Sequence, residues 1–67
     1  MKLSIIIPAL NEEKSIGSVI KSIPKIYHDL IVVDNGSSDE TSKIALKNGA
    51  TVIIEKKKGM DMLVLKE

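Results

Sequence analysis

Two polar segments, each directly after a short apolar run, constrain the fold of this 67-residue chain more than any other feature. The apolar residues 3–7 lead into PALNEE (residues 8–13), and the apolar residues 30–33 lead into DNGSSD (residues 34–39). In a parallel sheet, the loops that follow neighbouring strands lie at the same edge, the carboxyl edge, where open α/β sheets bind ligands. The pattern therefore predicts two strand–loop–helix units whose polar loops form one site.

Three short segments rich in apolar residues, 3–7, 29–34 and 51–54, predict the strands of the sheet. We expect Pro8 to end the first strand, because proline lacks the N–H that a central strand donates. The connections have the length of single helices, which implies parallel strands joined by right-handed crossovers. The predicted fold class is therefore α/β, a three-stranded parallel β-α-β-α-β sheet that resembles part of a Rossmann fold.

Two helices are predicted between these strands. The first has apolar residues at 16, 19, 20 and 23, the spacing of one buried stripe, with Asn11 as its N-cap. Gly17 lies within this stripe, and we expect it to permit close packing on the sheet. Ser37 and Glu40 have the spacing of a capping box at the start of the second helix, and Gly49 suits the left-handed position after its end.

The composition excludes several classes of protein. The chain contains no cysteine, so it cannot form the disulfides that stabilise many small secreted domains. A net charge of +1 gives no basic footprint for nucleic acid. The first apolar run is too short for a signal peptide or a transmembrane segment, so we expect a cytoplasmic chain. Residues 60–65 are apolar but fit neither the helical nor the strand period, which divides the chain into a domain of residues 1–59 and a tail of residues 60–67.

Acidic residues are the candidates for chemistry. Asp34, at the end of a buried strand, could accept hydrogen bonds from a nucleotide base or a ribose, or could simply begin a turn. Glu12 and Glu13 could complement a helix dipole, as could Asp39, or they could act together with the second acidic segment. Such a site would repel bare phosphate unless a cation, for example the lysine run at residues 56–58, lay nearby. His28 has no second ligand at zinc spacing.

These two segments at this separation, IIPALNEE (residues 6–13) and IVVDNGSSDET (residues 31–41), resemble the amino-terminal part of family 2 glycosyltransferases. The resemblance covers about residues 2–59 and is nearest to dolichyl-phosphate mannosyl- and glucosyltransferases. It implies a GT-A fold and a nucleotide-diphospho-sugar ligand linked to UDP or GDP. By resemblance, Pro8, Leu10 and Glu12 surround the base and ribose, and Asp34 contacts the base. Many relatives have an aromatic residue at the position of Leu10.

The resemblance also implies that much of such an enzyme lies outside this chain. The metal-binding Asp-x-Asp segment, the catalytic base and the acceptor region are expected in a full-length relative, where Mg²⁺ or Mn²⁺ would bind. We therefore expect no catalytic residue and no metal site here. The leading interpretation is a truncated nucleotide-sugar-binding half-domain that does not transfer sugar alone. We hypothesise that a frameshift near Gly59 truncated the gene, although a fragment cut from a complete enzyme is an alternative.

A second interpretation is non-enzymatic, a small α/β binding or assembly module with little or no affinity for nucleotides. Both interpretations share one expectation about assembly. A three-stranded sheet in a chain of this size leaves apolar surface and strand edges uncovered, and such surfaces favour association. We therefore expect a homo-oligomer, with residues 60–65 supplying an additional strand or helix at an edge.

Overall fold

The computed structural model describes residues 3–57 and 61–65, which form one mixed sheet and two helices. In chain order the elements are β1 (Ser4–Ala9), α1 (Ile16–Ser22), β2 (Asp29–Asp34), α2 (Thr41–Lys47), β3 (Thr51–Lys57) and β4 (Asp61–Leu65). The strands lie side by side in the order β1-β2-β3-β4. Strand β2 is parallel to β1 and to β3, whereas β4 is antiparallel to β3. The predicted parallel β-α-β-α-β unit is confirmed, and β4 adds a fourth strand from the segment without a clear period.

Pro8 does not end the first strand, contrary to our prediction. Strand β1 continues to Ala9, and Pro8 pairs in register with Val33. The carbonyl of Leu3, just before β1, accepts a hydrogen bond from the Asp29 N–H, and the carbonyl of Ala9 accepts one from the Asn35 N–H. The odd-numbered residues of β1 therefore direct their backbone polar groups toward β2. Since these directions alternate along a strand, the missing N–H of Pro8 lies on the outer edge, where no ladder bond is lost.

Both helices pack on the same face of the sheet. Two successive right-handed crossovers that advance in the same direction, from β1 to β2 and from β2 to β3, place their helices on one side. The core between helices and sheet contains fully buried Val32 and Val52 from the strands. It is completed by small and branched side chains, which are Ala9, Ile16, Ile20, Ala45 and Ala50.

Gly17 and Gly49 lie at positions that favour glycine for different structural reasons. We had expected Gly17 to pack against the sheet, but it lies against α2 instead. A Cβ built there would lie 3.5 Å from Ile44 Cγ2 and 3.5 Å from Asn48 Nδ2, an ordinary van der Waals separation. Gly49 has a φ of 95° directly after α2, which confirms its predicted place beyond the helix end.

The opposite face of the sheet is covered by neither helix. On this face, Ile6 of β1 pairs with Ile31 of β2. One row of paired residues crosses all four strands, namely Pro8, Val33, Ile53 and Val64. We call these six apolar residues the open face: Ile6, Pro8, Ile31, Val33, Ile53 and Val64. Ile6 is 63% exposed and Val64 is 56% exposed, so the predicted uncovered apolar surface is present.

Candidate functional site at the carboxyl edge of the sheet

The two polar loops meet at one edge of the sheet, as the sequence predicts. The first loop (residues 10–15) follows β1, and the second loop (residues 35–40) follows β2. Ala9 and Asp34, the last residues of the two strands, are in register, and the Asn35 N–H donates to the Ala9 carbonyl over 2.9 Å. We call this region, residues 8–15 and 34–40, the rim.

Asn11 joins the two loops and does not cap a helix. Its φ of 52° is in the left-handed region, which asparagine tolerates better than most residues. Its N–H donates to Ser37 Oγ over 2.8 Å, and its Oδ1 accepts from the Ser38 N–H over 2.9 Å. The predicted capping box is also wrong. Ser37 Oγ accepts from the Asn11 N–H, and the Glu40 N–H donates to Glu13 Oε1 over 3.1 Å and not to Ser37. Helix α1 accordingly begins at Ile16, later than an Asn11 cap implies.

Thr41 and Asp39 form a second connection between the loops. Thr41 is fully buried, and its Oγ1 accepts from the Glu12 N–H over 2.8 Å while donating to Asp39 Oδ1. Asp39 Oδ1 also accepts from the Thr41 N–H over 3.0 Å, and Asp39 Oδ2 accepts from the Glu13 N–H over 3.2 Å. The hydrogen bond from Thr41 lowers the pKa of the Asp39 carboxyl, which keeps it charged. Asp39 therefore anchors the first loop, a role beyond complementing a helix dipole.

Asp34 is buried beneath the second loop, with 3% of its surface exposed. Its Oδ1 accepts from the Gly36 N–H over 3.1 Å and from the Ser37 N–H over 2.7 Å, and its Oδ2 accepts from Ser42 Oγ. Burial alone raises the pKa of this carboxyl, but the hydrogen bonds from Ser42, Ser37 and Gly36 outweigh burial, and the pKa is lowered. Asp34 therefore forms the turn that the sequence offered as one of its two roles, and Gly36 in that turn has a φ of 95°.

The four residues assigned to the nucleotide by resemblance all lie at the rim. Pro8, Leu10 and Glu12 are exposed there, and Leu10 has 52% of its surface accessible. Glu12 Oε1 accepts from Ser15 Oγ over 2.9 Å, which holds its side chain beside the first loop. Asp34 differs from these three because it is buried. Their contact with a ligand stays a prediction.

Sequence reasoning missed the residues that hold the rim together, above all Asn11 and Thr41. A local signal existed for Asn11, since asparagine is among the few residues that accept a positive φ. Thr41 had no such signal, because its importance depends on a hydrogen bond to Glu12, which is 29 positions away in sequence.

The described residues bring together no group of three or more His, Cys, Asp or Glu side chains that could hold a metal ion. The side chains of the lysine run at residues 56–58, proposed as a phosphate partner, and the hypothesised frameshift position Gly59 lie outside what the structure describes. Within residues 3–57 and 61–65, neither helix has the length and apolar character needed to cross a bilayer.

The fold and the rim together define a class of protein. A parallel β-α-β-α-β unit whose polar loops join at the carboxyl edge is the half-sheet arrangement of nucleotide-binding α/β proteins. Residues 4–60 match the model of the family described as "Glycosyl transferase family 2". The chain belongs to this family, and the resemblance noted from the two polar segments is confirmed.

Relatives with known names and structures agree with this assignment. The chain is 51% identical over 53 residues to a 4,4'-diaponeurosporenoate glycosyltransferase of Staphylococcus aureus, covering 76% of this chain and 14% of that protein. It is 42% identical over 57 residues to an uncharacterized glycosyltransferase of Mycobacterium bovis, covering 85% of this chain and 26% of that protein. The dolichyl-phosphate subtype remains a prediction.

Among solved structures, the chain is similar to glucosyl-3-phosphoglycerate synthase from Mycobacterium tuberculosis, with a TM-score of 0.73 and 44% identity. The match covers 79% of this chain and 20% of that chain, which was crystallised in complex with Mn²⁺, uridine diphosphate and glucosyl-3-phosphoglycerate. The neighbours have the GT-A fold, so the predicted fold class is confirmed. This chain therefore spans roughly a seventh to a quarter of the glycosyltransferases that it resembles.

Proposed function

We propose that this chain binds the nucleoside diphosphate part of a nucleotide sugar at the rim. The observation that carries the proposal is the junction of the two loops, which presents Pro8, Leu10 and Glu12 beside the end of β2. The proposed partner is a UDP-linked sugar in preference to a GDP-linked one. Structures of the mycobacterial synthase with UDP and with UDP-glucose, at 44% identity, support that preference.

The rim has the properties that a small polar ligand needs. Its loops are cross-linked by hydrogen bonds from the Asn11 N–H to Ser37 Oγ and from the Glu12 N–H to Thr41 Oγ1, so the backbone is organised before a ligand arrives. A preorganised loop loses less conformational entropy on binding, which favours affinity. The exposed side chain of Leu10 offers an apolar surface for one face of a base, although it cannot stack as an aromatic ring would.

Asp34 has a defined place in this proposal. An ionised carboxylate offers about four acceptor positions, and the described hydrogen bonds occupy two on Oδ1 and one on Oδ2. The Ser37 side chain also hydrogen-bonds this buried carboxylate, so an N–H of the base would have to share an oxygen with one of these donors or displace it. Asp34 would thus shape the second loop and contact the base with the same carboxylate.

Titration of the 67-residue chain with UDP, UDP-glucose and GDP-mannose, each with Mn²⁺ or Mg²⁺, tests the proposal. We expect saturable binding of UDP and UDP-glucose with a Kd of about 1 mM or tighter, followed by nuclear magnetic resonance or calorimetry. Amide signals of the rim should shift, and those at the opposite end of the sheet should not. The absence of binding at millimolar UDP would contradict the proposal and favour the alternative, an assembly module without nucleotide affinity.

Two variants separate ligand contact from loop support. Asp34→Asn retains an oxygen for the Gly36 and Ser37 N–H groups but replaces the second oxygen with a donor. We expect it to keep the fold and to lose most UDP affinity, as Glu12→Ala should also do. Asp29→Asn is the matched control, since it makes the same change at the other end of β2. Equal affinity in Asp34→Asn and the unsubstituted chain would show that Asp34 supports the loop without touching the base.

We propose binding, and not sugar transfer, for this chain alone. The relatives transfer sugars as whole proteins, of which this chain spans about a fifth, and the Mn²⁺ of the synthase is a property of that longer protein. The described residues contain no cluster that fits such an ion by itself. A cytoplasmic location remains a prediction of the sequence.

A further inference from the structure

The chain contains two asparagine–glycine pairs, Asn35 with Gly36 in the second loop and Asn48 with Gly49 at the end of α2. Such a pair is chemically reactive, because the glycine nitrogen can attack the asparagine Cγ and no Cβ obstructs its approach. The side-chain nitrogen then leaves as ammonia. Sequence alone gives the two pairs the same reactivity, but the structure places them in different surroundings.

Hydrogen bonds of the helix end hold the pair at α2 in place. Asn48 Nδ2 donates to the Ile44 carbonyl over 2.8 Å, and the Gly49 N–H donates to the Leu46 carbonyl over 3.0 Å. Both groups that would react are therefore engaged. The acceptor of the Gly49 proton is a neutral peptide carbonyl, which is not a base.

The pair in the second loop is held less firmly. Asn35 and Gly36 are both exposed and lie beyond the end of β2, outside any helix or strand. The hydrogen bonds among the described residues engage Asn35 through its backbone N–H, which donates to the Ala9 carbonyl, and leave its side-chain amide to solvent. This amide can therefore rotate toward the Gly36 nitrogen without breaking a hydrogen bond of its own.

A carboxylate lies next to the attacking nitrogen in the second loop. The Gly36 N–H donates to Asp34 Oδ1 over 3.1 Å, which is within the reach of a general base. Burial would raise the pKa of Asp34, but the hydrogen bonds from Ser42, Ser37 and Gly36 lower it, so the carboxylate is ionised at neutral pH. The nitrogen must give up its proton as it attacks, and Asp34 is in place to accept that proton, whereas Gly49 faces only a carbonyl.

We propose that Asn35 is a site of spontaneous modification, at which the chain deamidates through a cyclic imide with Asp34 as the general base. The Gly36 nitrogen forms a bond to Asn35 Cγ, and its proton passes by way of Asp34 to the side-chain nitrogen, which leaves as ammonia. Water then opens the ring at either carbonyl and gives aspartate or isoaspartate, with Asp34 unchanged. The reaction needs only water and no second protein.

Modification would alter the second loop. Isoaspartate adds one methylene to the main chain before Gly36, and both products replace a neutral amide with a carboxylate. The turn in which the Gly36 and Ser37 N–H groups donate to Asp34 would be distorted, so we expect amide hydrogen exchange at these two positions to accelerate. UDP affinity should fall as the modified fraction rises. This last consequence alone rests on the proposed function, because the modification itself is measured without a ligand.

Incubation of the 67-residue chain at neutral pH, followed by brief trypsin digestion and mass spectrometry, tests the proposal. Cleavage after lysine places the two asparagines in different peptides, residues 26–43 and 48–56, so each rate is measured separately. We expect Asn35 to deamidate at least about tenfold faster than Asn48 in the folded chain. In concentrated urea the surroundings are lost, and the two rates should become similar.

Asp34→Asn tests the base, because it keeps an oxygen for the Gly36 N–H but cannot accept the proton. We expect it to slow deamidation at Asn35 at least about tenfold, and Asp29→Asn, the same change at the other end of β2, to leave the rate unchanged. The rate at Asn48 reports on folding, since unfolding of a variant would raise it. Fragmentation of the peptide locates each change.

Three results would contradict the proposal. Equal rates at Asn35 and Asn48 in the folded chain would overturn it. A tenfold preference for Asn35 that persists in urea would assign the difference to local sequence and not to the structure. Deamidation in Asp34→Asn as fast as in the unsubstituted chain would remove Asp34 as the base.

Discussion

Replacement of Thr41 by valine is the sharpest test of the junction between the two loops. Valine keeps the shape of threonine but has no oxygen, so the Glu12 N–H loses its acceptor and Asp39 loses one donor. Asp39 retains its hydrogen bonds from the Thr41 and Glu13 N–H groups. The principal cost is therefore one unsatisfied backbone N–H in a partly buried position, about 1–3 kcal/mol.

The free-energy cost of losing this hydrogen bond is a large fraction of the free energy of unfolding of a domain of this size. At about 0.05–0.15 kcal/mol per residue, the free energy of unfolding is about 3–10 kcal/mol. Valine also removes a buried hydroxyl, which offsets part of the cost, so we expect a net loss of about 1–2 kcal/mol. With a urea m-value of about 1 kcal/mol per molar, the midpoint of unfolding should fall by about 1–2 M.

Urea unfolding followed by circular dichroism measures this loss, and two variants control for the chemical change. Thr41→Ser keeps the hydroxyl and should lose less stability than Thr41→Val. Thr51→Val makes the same change on β3, away from the rim, and should cost less than about 0.5 kcal/mol. Amide hydrogen exchange should accelerate at Glu12 in Thr41→Val. If Thr41→Val were no more destabilising than Thr51→Val, the loop junction would not contribute to stability as argued.

Two further predictions concern pH and backbone conformation. Because the pKa of Asp34 is lowered on folding, its contribution to stability is complete above the ordinary carboxyl pKa of 3.8 and is lost as the pH falls through the lowered value. Asp34→Asn removes this contribution and Asp29→Asn does not. The loss of stability below about pH 4 should therefore be less steep in Asp34→Asn than in Asp29→Asn. Gly17→Ala should stabilise the chain by about 0.5–1 kcal/mol, because a Cβ fits against α2 without a clash. Gly49→Ala should destabilise it by about 1–2 kcal/mol because of its positive φ. Thermal unfolding of both variants checks the pair, and a loss of stability in Gly17→Ala would refute the packing argument.

Local patterns predicted the elements well where the signal lay within a few residues. The bounds of β2 follow directly from its apolar run, and Gly49 follows from the need for a left-handed residue after a helix. The start of α1 was predicted too early, because Asn11 and the following glutamates look like a cap and a first turn. The capping box at Ser37 failed for the same reason. In both cases a partner in the other loop took the hydrogen bond that local sequence assigned to the helix.

The sequence by itself determined the order of strands and helices and the presence of two polar loops at one edge, because these depend on periodicity and on crossover geometry. Only the tertiary structure decided that Asp34 is buried and that Thr41 connects to Glu12. Each of these depends on contacts between residues far apart in the chain, and no local pattern contains them. β4 belongs to the same group, since its antiparallel place beside β3 is set by pairing and not by its own periodicity.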